Sequence, residues 1–501
     1  MKSHTPNWRI SLRIIVAVFA FVFLAGCKVG PNFTQPTPPA SVQYDQQAEK
    51  KLSAANETNV PQHIDLGQKI NGDWWSTFAS PKLDQVMHQA VNGNFDLAAA
   101  DATIAQANEA VLGAKGKLYP QIDYGAALGR ARADAGGLLK PGTASYYSVG
   151  PAASFDFDVF GGTKRLIEGK RAQADFQKHQ YDAAYLTLTG DVANEAFLLA
   201  SARAQIDAVQ ILLGDDRKNL DLVRGARTTG SAAEVDVALA ETQLSLDQTL
   251  LPPLAQQSVA ARHALSVLAG KGPSDWVAPD FDLTDFTLPP NLPVALPSEV
   301  ASNRPDLLEA AAELHAASAT IGVATADLYP HLTLSGFVSQ TSTGMSSPFG
   351  VGVVLWDVGT ELAGPIYHGG TLRANRRWAI DAYKATLAVY CQTVVKSLGQ
   401  VADALQAINH DGEEYSAQEQ ALNAAGISLR LNREGFREGE VSVLQVLDSE
   451  RAYEQALLGD IRAKTAQYLD TIQLFVALGG NSAGVFARRE EFSQVARESL
   501  K

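Results

Sequence analysis

Two stretches of this chain repeat one another about 210 residues apart. Asn94-Phe95-Asp96-Leu97 leads on to Leu118-Tyr119-Pro120, and Arg304-Pro305-Asp306-Leu307 leads on to Leu328-Tyr329-Pro330. Farther along, Tyr147-Ser148-Val149-Gly150 matches Trp356-Asp357-Val358-Gly359, and Gly161-Gly162 matches Gly369-Gly370. Ala240-Glu241 matches Ser449-Glu450, and Leu268-Ala269-Gly270 matches Leu478-Gly479-Gly480. A long unit present twice predicts two similar halves about a pseudo-twofold relation, so whatever one half builds the other builds again.

The N-terminus carries Lys2, Arg9 and Arg13 and then a short apolar run from Ile14 to Ala25. The run falls short of the ~20 apolar residues of a membrane helix and reads as a signal peptide over 1–26. Its end, Leu24-Ala25-Gly26-Cys27, resembles the bacterial lipobox. Cleavage there would leave Cys27 to carry acyl chains, each buried CH₂ adding roughly 0.8 kcal/mol of anchoring. Lys28 rather than Asp follows, which in such lipoproteins resembles sorting to the outer membrane. With Cys27 lipidated, Cys391 has no partner for a disulfide. Removing the signal takes the formal charge from −13 to −16, and an acidic balance argues against nucleic acid as a partner. No other stretch approaches a membrane helix, so any span must be a closed β-barrel.

Residues 27–72 are polar and proline-containing and read as a lipid-anchored extended tether. Residues 73–270 form the first repeat, 271–297 a proline-rich linker, 298–480 the second repeat and 481–501 a polar tail. Within each repeat the period changes from helix to strand after Leu-Tyr-Pro. Over Tyr147 to Val159 apolar and polar residues alternate, as one face to lipid and one to water requires. Ile122, Tyr124, Ala126 and Leu128 form a similar stripe, and so do Leu332, Leu334 and Val338, then Val354, Trp356, Val358 and Leu362. Hairpins are therefore expected at about 121–160 and 331–366. Each is followed by Gly-Gly and a very long helix. Leu387, Cys391, Val394, Leu398, Val401, Leu405 and Ile408 make a heptad seam in which Cys391 holds a core seat. A second seam runs from Leu458 to Phe475, and Pro252-Pro253 should kink the return helix of the first half.

Four strands cannot enclose a lumen, and lipid tolerates no open edge; eight to twelve strands could close, from two or three chains. The ordered set Cys27-Lys28-Val29-Gly30-Pro31, Trp74-Trp75 with Phe78, Pro81 and Leu83, Asn94-Phe95-Asp96-Leu97, both Leu-Tyr-Pro motifs, the glycine-centred turns at Gly230 and Gly439, and Leu478-Gly479-Gly480 resembles the outer membrane efflux factors of the TolC/NodT lipoprotein kind. The resemblance spans roughly residues 27–480. It implies an α+β membrane protein: a homotrimer with a 12-stranded outer-membrane barrel, four strands from each chain, continued by a long periplasmic α-helical barrel. It also implies docking to a periplasmic adaptor (membrane fusion) protein and to an inner-membrane pump of the RND or MFS type, with passive conduction of drugs or other small molecules. Delivery of protein from a type I secretion system is the alternative.

Nothing in the sequence points to an enzyme or a cofactor. The nine histidines are scattered, and neither a metal-ligand spacing nor a phosphate-loop frame occurs. A coiled-coil lipoprotein or adaptor would explain the heptads and Cys27, though not four alternating strands. The periplasmic mouth is expected where each long helix turns back, at Ala200 to Gln205 and at Asn409 to Glu414. Asp403, Asp411 and Glu413 stand in a run from Ser397 to Leu429 that lacks any Lys or Arg. Threefold repetition of such carboxylates needs cationic partners or bound cations at a closed mouth, and a contact of Arg203 with Asp411 or Glu413 is expected to help hold it shut; a solvated acidic turn is the alternative.

Overall fold

The structure, a computed structural model, describes residues 28–37, 43–45, 49, 62–68, 73–133, 142–342, 353–480 and 485. The signal segment, Cys27, Ser346, most of both hairpin loops and nearly all of the tail lie outside the described residues. In chain order the elements are β1 (His63–Leu66), a 3₁₀ turn (Trp74–Phe78), α1 (Pro81–Gly93), α2 (Phe95–Gly116), β2 (Gln121–Ala133), β3 (Gly142–Phe157), α3 (Gly162–Thr228), α4 (Glu234–Gln248) and α5 (Leu251–Leu268). Then come β4 (Asn291–Val294), α6 (Pro297–Asn303), α7 (Pro305–Ala326), β5 (His331–Ser342), β6 (Val353–Ala363), α8 (Thr371–Glu438) and α9 (Val443–Ala477). The order helix, helix, strand, strand, long helix thus occurs twice.

The chain divides into two compact units. The first holds the residues up to Pro36 together with Thr103–Gln177 and Glu309–Tyr390. Its centre is a four-stranded antiparallel sheet of order β2-β3-β5-β6. Both sheet-entering helices end just before Leu-Tyr-Pro, because proline cannot continue them. Pairing sets Ile122 opposite Ala153, Tyr124 opposite Pro151 and Leu128 opposite Tyr147. It sets Phe155 opposite Leu334, and Leu332 and Val338 opposite Leu362 and Trp356. Directly opposed residues share a face, so the four apolar stripes lie side by side on one face of the sheet. Asp123, Ser148, Ser154, Asp156, Thr333, Ser335, Asp357 and Glu361 occupy the other, where Thr333 donates to Asp156 at 2.6 Å. Val353, Leu355 and Phe337 depart from that pattern by standing with the polar set.

The second unit holds Thr37–Ala102, Lys178–Leu308 and Cys391–Lys501. Its core explains Trp74-Trp75 and Phe78. Trp74 and Phe78 are fully buried, Phe78 lies 5.1 Å from Phe197, and Phe197 stacks on Tyr468 at 4.7 Å and meets Phe286 at 4.1 Å. Asn94 caps α2, its side-chain oxygen accepting from the amides of Asp96 and Leu97 at 2.8 and 3.2 Å. At the matching place in the second half Arg304 is buried instead, donating to Ala477 O at 2.6 Å and to Asp306 and Gln400 at 2.7 Å each. The expected tether and linker are partly folded: β1 from the former pairs in parallel with β4 from the latter.

Four expectations need correction or completion. Cys391 is exposed in the single chain, although Val401, Leu405 and Ile408 of the same seam are buried. A straight helix drifts about 20° per heptad, so a stripe centred on Leu405 has rotated outward two heptads earlier, and Tyr390 takes the buried seat. Second, α3 does contain an 18-residue window of mean hydropathy 1.4, enough for a membrane span by length and composition, but 61% of it is buried in the protein. Third, the return helix of the first half is not merely kinked: it stops at Gln248, and Pro252 and Pro253 stand in the first turn of α5. Fourth, the long helices do not turn near residues 200–205 and 409–414. They run unbroken to Thr228 and Glu438, about 100 Å of helix each at ~1.5 Å per residue.

Truncating Phe197 to alanine should destabilise the folded chain by about 3–5 kcal/mol, since it empties a ring of aromatic contacts. A denaturant midpoint unchanged from the parent would mean that this cluster is not the core of its unit.

Candidate functional site

Three features can carry function: the sheet, the strap at the N-terminal end of the described chain, and the ends and interior of the long helices.

The apolar face of the sheet is open. Ile122, Trp356 and Leu362 are each more than 70% exposed although they stand in strands. Burial within the chain explains none of these side chains. Among the described residues no strand lies beside the outer edges of β2 and β6.

The strap runs over Lys28 to Phe33. Val29 N–H bonds Phe160 O at 3.1 Å, where β3 gives way to α3. Arg165, 1% exposed, donates to Val29 O at 2.9 Å, Gly30 O at 3.1 Å, Asn32 Oδ1 at 3.0 Å and Glu168 Oε2 at 3.0 Å. Lys28 also donates to Glu168, whose other oxygen lies 3.1 Å from His315 Nε2, and Phe33 stacks on the His315 ring at 4.4 Å. Gly30 has φ +86°, and a Cβ there would come within 2.6 Å of Gly322 Cα, so only glycine fits. Burial opposes ionisation of Glu168, but hydrogen bonds from Lys28, His315 and Arg165 outweigh it and hold the carboxyl down at about 2. The residue next to the expected lipid site is therefore fastened to the start of α3. The sequence offered Lys28-Val29-Gly30-Pro31 as a motif but gave no sign that Arg165 and Glu168 receive it.

The helix ends lie at Gly230 and Gly439, with φ +80° and +82°. Ser231 N–H bonds Ala226 O at 2.8 Å and Glu440 N–H bonds Gly435 O at 2.8 Å, the same closure in both halves. The following helices start alike, Asp236 accepting from Ala233 N–H at 2.8 Å and Gln445 from Ser442 N–H at 3.0 Å. Leu220, Val223, Val237, Ala240, Val443 and Leu447 pack together beside these turns.

In the single chain Arg203, expected at the mouth, is engaged elsewhere. Arg203 pairs with Asp280 at 2.6 Å and Asp282 at 3.6 Å, on the segment between the repeats. Asp411 faces Asp470; burial pushes its carboxyl up, and the neighbouring Asp470 and Glu414 push it further. Glu413 lies on the exposed surface with His410 at 3.7 Å, and Asp403 is exposed. The turn-back expected at 200–205 and 409–414 is unbroken helix, and the chain reverses instead at Gly230 and Gly439, the glycine-centred turns, where the left-handed conformation ends each helix.

An unexpected set of carboxyls lies nearer those turns. Asp216 of α3, Asp247 of α4 and Glu454 of α9 face one another. Gln243 donates to both Asp247 oxygens at 2.8 and 2.9 Å, and Arg451 donates to Gln243 at 2.5 Å. Close by, Arg433 of α8 bridges Asp215 at 2.9 Å and Glu450 at 3.0 Å, and Asn219 also donates to Glu450. Burial pushes the Asp216 and Glu454 carboxyls up, and the adjoining Asp247 pushes them further. A signal for this was present: Val209, Leu213, Asp216, Leu220 and Val223 step by 4, 3, 4 and 3, which seats an acid in a heptad core.

The family model for outer membrane efflux protein matches residues 86–271 and again 296–480. The pyoverdine export outer membrane protein OpmQ of Pseudomonas putida is 28% identical over 418 residues, covering 81% of this chain and 87% of that protein. The probable outer membrane lipoprotein SilC of Salmonella typhimurium is 25% identical over 473 residues, covering 93% and 98%. Among solved structures the outer-membrane channel OprN matches with TM-score 0.82 and 24% identity over 91% of this chain and 99% of that one, a likeness of fold.

Two predictions come from these groups. Arg165→Ala should free the strap, because removing one partner of a buried charge pair costs roughly 3–5 kcal/mol; trypsin should then cut after Lys28, which the parent resists. Because folding raises the carboxyls of Asp216 and Glu454, their contribution to stability is complete below the ordinary carboxylate range and lost as pH climbs through the raised values. Stability should therefore fall between about pH 5 and about pH 8. Asp216→Asn should raise Tm at the upper pH and change it little at the lower, at roughly 2–4 °C per kcal/mol. An equal shift at both would show that ionisation of this group is not involved.

With the family model covering most of the chain in two successive blocks, this protein belongs to the outer membrane efflux protein family.

Proposed function

We propose that three copies of this chain join into one channel, a 12-stranded barrel in the outer membrane continued by helices into the periplasm. The channel takes its cargo passively from an inner-membrane pump through a periplasmic adaptor and releases it outside. Residues 73–270 and 298–480 act as two repeats of one design, and Cys27, carrying acyl chains such as palmitate, anchors each copy. The observation that carries this reading is the sheet: four apolar stripes in register on one face, polar residues on the other, and an unpaired strand at each edge. Such a sheet is stable in lipid only when further copies complete it. Its relatives are named for efflux and export of small molecules, which favours efflux over protein secretion.

Purified protein in planar bilayers should give stepwise conductance, and its mass should equal three chains. A monomer, or an oligomer that conducts nothing, would contradict the channel. Phe155→Arg on the apolar face should cost about 2–4 kcal/mol at the bilayer midplane, and Ser154→Arg on the polar face much less. Equal losses of assembled protein in outer membranes would mean that the faces are not lipid and lumen.

A further inference from the structure

The two halves part company where each hairpin hands over to its long helix. The Gly-Gly motifs align Gly162 with Gly370, which makes Arg373 the counterpart of Arg165, Arg376 of Glu168 and Arg377 of Gly169. In the first half this corner is closed. Arg165 is 1% exposed and, together with Glu168, holds the strap of Lys28 to Asn32. In the second half Arg373, Arg376 and Arg377 are all exposed, and none of them forms an ion pair or a side-chain hydrogen bond with another described residue. No acid stands between Glu361 and Asp381, and Asp381 is engaged by Lys384 at 2.9 Å. Where the first half sets an acid under its strap, the second sets a cation with nothing over it.

Beside these arginines the surface is apolar. The exposed stripe of Trp356, Val358 and Leu362 on β6 continues in sequence to Ile366, 101% exposed, and then to Tyr367. Leu328, Tyr329, Ile366, Tyr367 and Leu372 line a groove of about 460 Å³ that also takes in Arg373. Trp378 is exposed in the next turn of α8. The strap marks the level of this corner in the membrane. Lys28 follows the residue proposed to carry acyl chains, and Val29 bonds Phe160 just past the end of β3. Leu332 pairs with Phe157 on one side and with Leu362 on the other, so both hairpins end at one level of the sheet. Arginines beside Trp and Tyr at the end of an apolar face suit the boundary between acyl chains and phosphate headgroups.

Resting on the membrane channel proposed above, we infer that the start of α8 binds an anionic phospholipid of the periplasmic leaflet. Arg373 and Arg376 hold its phosphate, and its acyl chains lie along Ile366 and the groove beside it. Residues three apart on a helix stand on one face, so the two guanidinium groups can converge on one phosphate and donate to it in parallel. Their counterparts Arg165 and Glu168 are the residues that meet the strap, which places Arg373 and Arg376 on the side from which the acyl-bearing end of the chain arrives. The first hairpin is thus tied to the leaflet through the strap and Cys27. The second, which has no strap, is tied through a lipid drawn from the leaflet itself.

Native mass spectrometry of the purified full chain, mixed in detergent with phosphatidylglycerol or with phosphatidylcholine, tests the site. Parent trimers should retain phosphatidylglycerol and shed phosphatidylcholine. Arg373→Gln with Arg376→Gln should weaken that retention roughly thirtyfold, two cations having been taken from an anionic ligand. Arg373→Lys with Arg376→Lys keeps the charge and should keep most of the lipid. Arg430→Gln with Arg437→Gln, near the other end of α8, should change nothing. Equal retention of the two lipids by the parent overturns the site, and so does a loss that the Arg430 and Arg437 pair matches or that the Arg373 and Arg376 pair fails to show. Should the glutamine pair not fold, the parent's choice between the two lipids decides. A folded glutamine pair that is monomeric beside a trimeric parent would assign these arginines to a contact between copies, overturning the lipid site and leaving the channel standing. A parent that is monomeric by mass overturns the channel and this site with it.

Discussion

A backbone N–H or C=O exposed to lipid has no partner, and the rest of this molecule is arranged around that constraint. The four-stranded sheet presents apolar side chains on one face and two edges with unsatisfied ladders. Neither edge strand, β2 or β6, contains a proline, a residue that commonly blunts an edge. In the channel proposed above, such a sheet is a fragment of a barrel that further copies complete. The helices obey the opposite logic. They satisfy their own backbones and can extend for some 67 residues without help, so only their side chains depend on neighbours.

Duplication is an economical answer to the edge problem. A single hairpin cannot pair with itself, but two similar hairpins in one chain create a joint, β3 with β5, that can be reused between chains. The two halves need only keep strand length, register and facial polarity alike. Elsewhere they have diverged. The first half caps its helix with Asn94, the second ties the same corner with the buried guanidinium of Arg304. The first half also carries the strap of Lys28 to Phe33 on its β3–α3 junction, and the matching junction of the second half, at Tyr367 and His368, stays exposed.

Much of the sheet was legible because its signals are local. Period-2 alternation located all four strands, and the Leu-Tyr-Pro motifs marked where helix gives way to strand, since proline acts on its immediate neighbours. The buried seam through Val401, Leu405 and Ile408 was equally readable. What failed was anything that depends on which face of a long helix meets a neighbour. Cys391 sits in the right heptad and yet is exposed, because the phase of a stripe drifts along a straight helix. Arg203 found Asp280 and Asp282 rather than Asp411, because the segment read as a plain linker folds back through β4 and presents those acids. The strap on Arg165 joins residues more than 130 apart, and no pattern within either stretch announces the other.

The interior carboxyls follow from the same geometry. Four helices packed closely offer little room for water, and Asp216 in a heptad core seat cannot be ionised there at the cost it would have in solvent. The neighbouring Asp247 pushes the carboxyls of Asp216 and Glu454 further up. Arg433 reaches both Asp215 and Glu450 from α8: against burial, hydrogen bonds from Lys218 and Arg433 hold the Asp215 carboxyl down, whereas at Glu450 burial outweighs the pairing and pushes the carboxyl up. The two neighbouring sets therefore differ: around Arg433 the acids are ion-paired between helices, while Asp216 and Glu454 are held toward their protonated forms, and rising pH sets these two in mutual repulsion between α3 and α9. That repulsion acts close to the apolar cluster of Leu220, Val223, Val443 and Leu447 that packs the helix ends together.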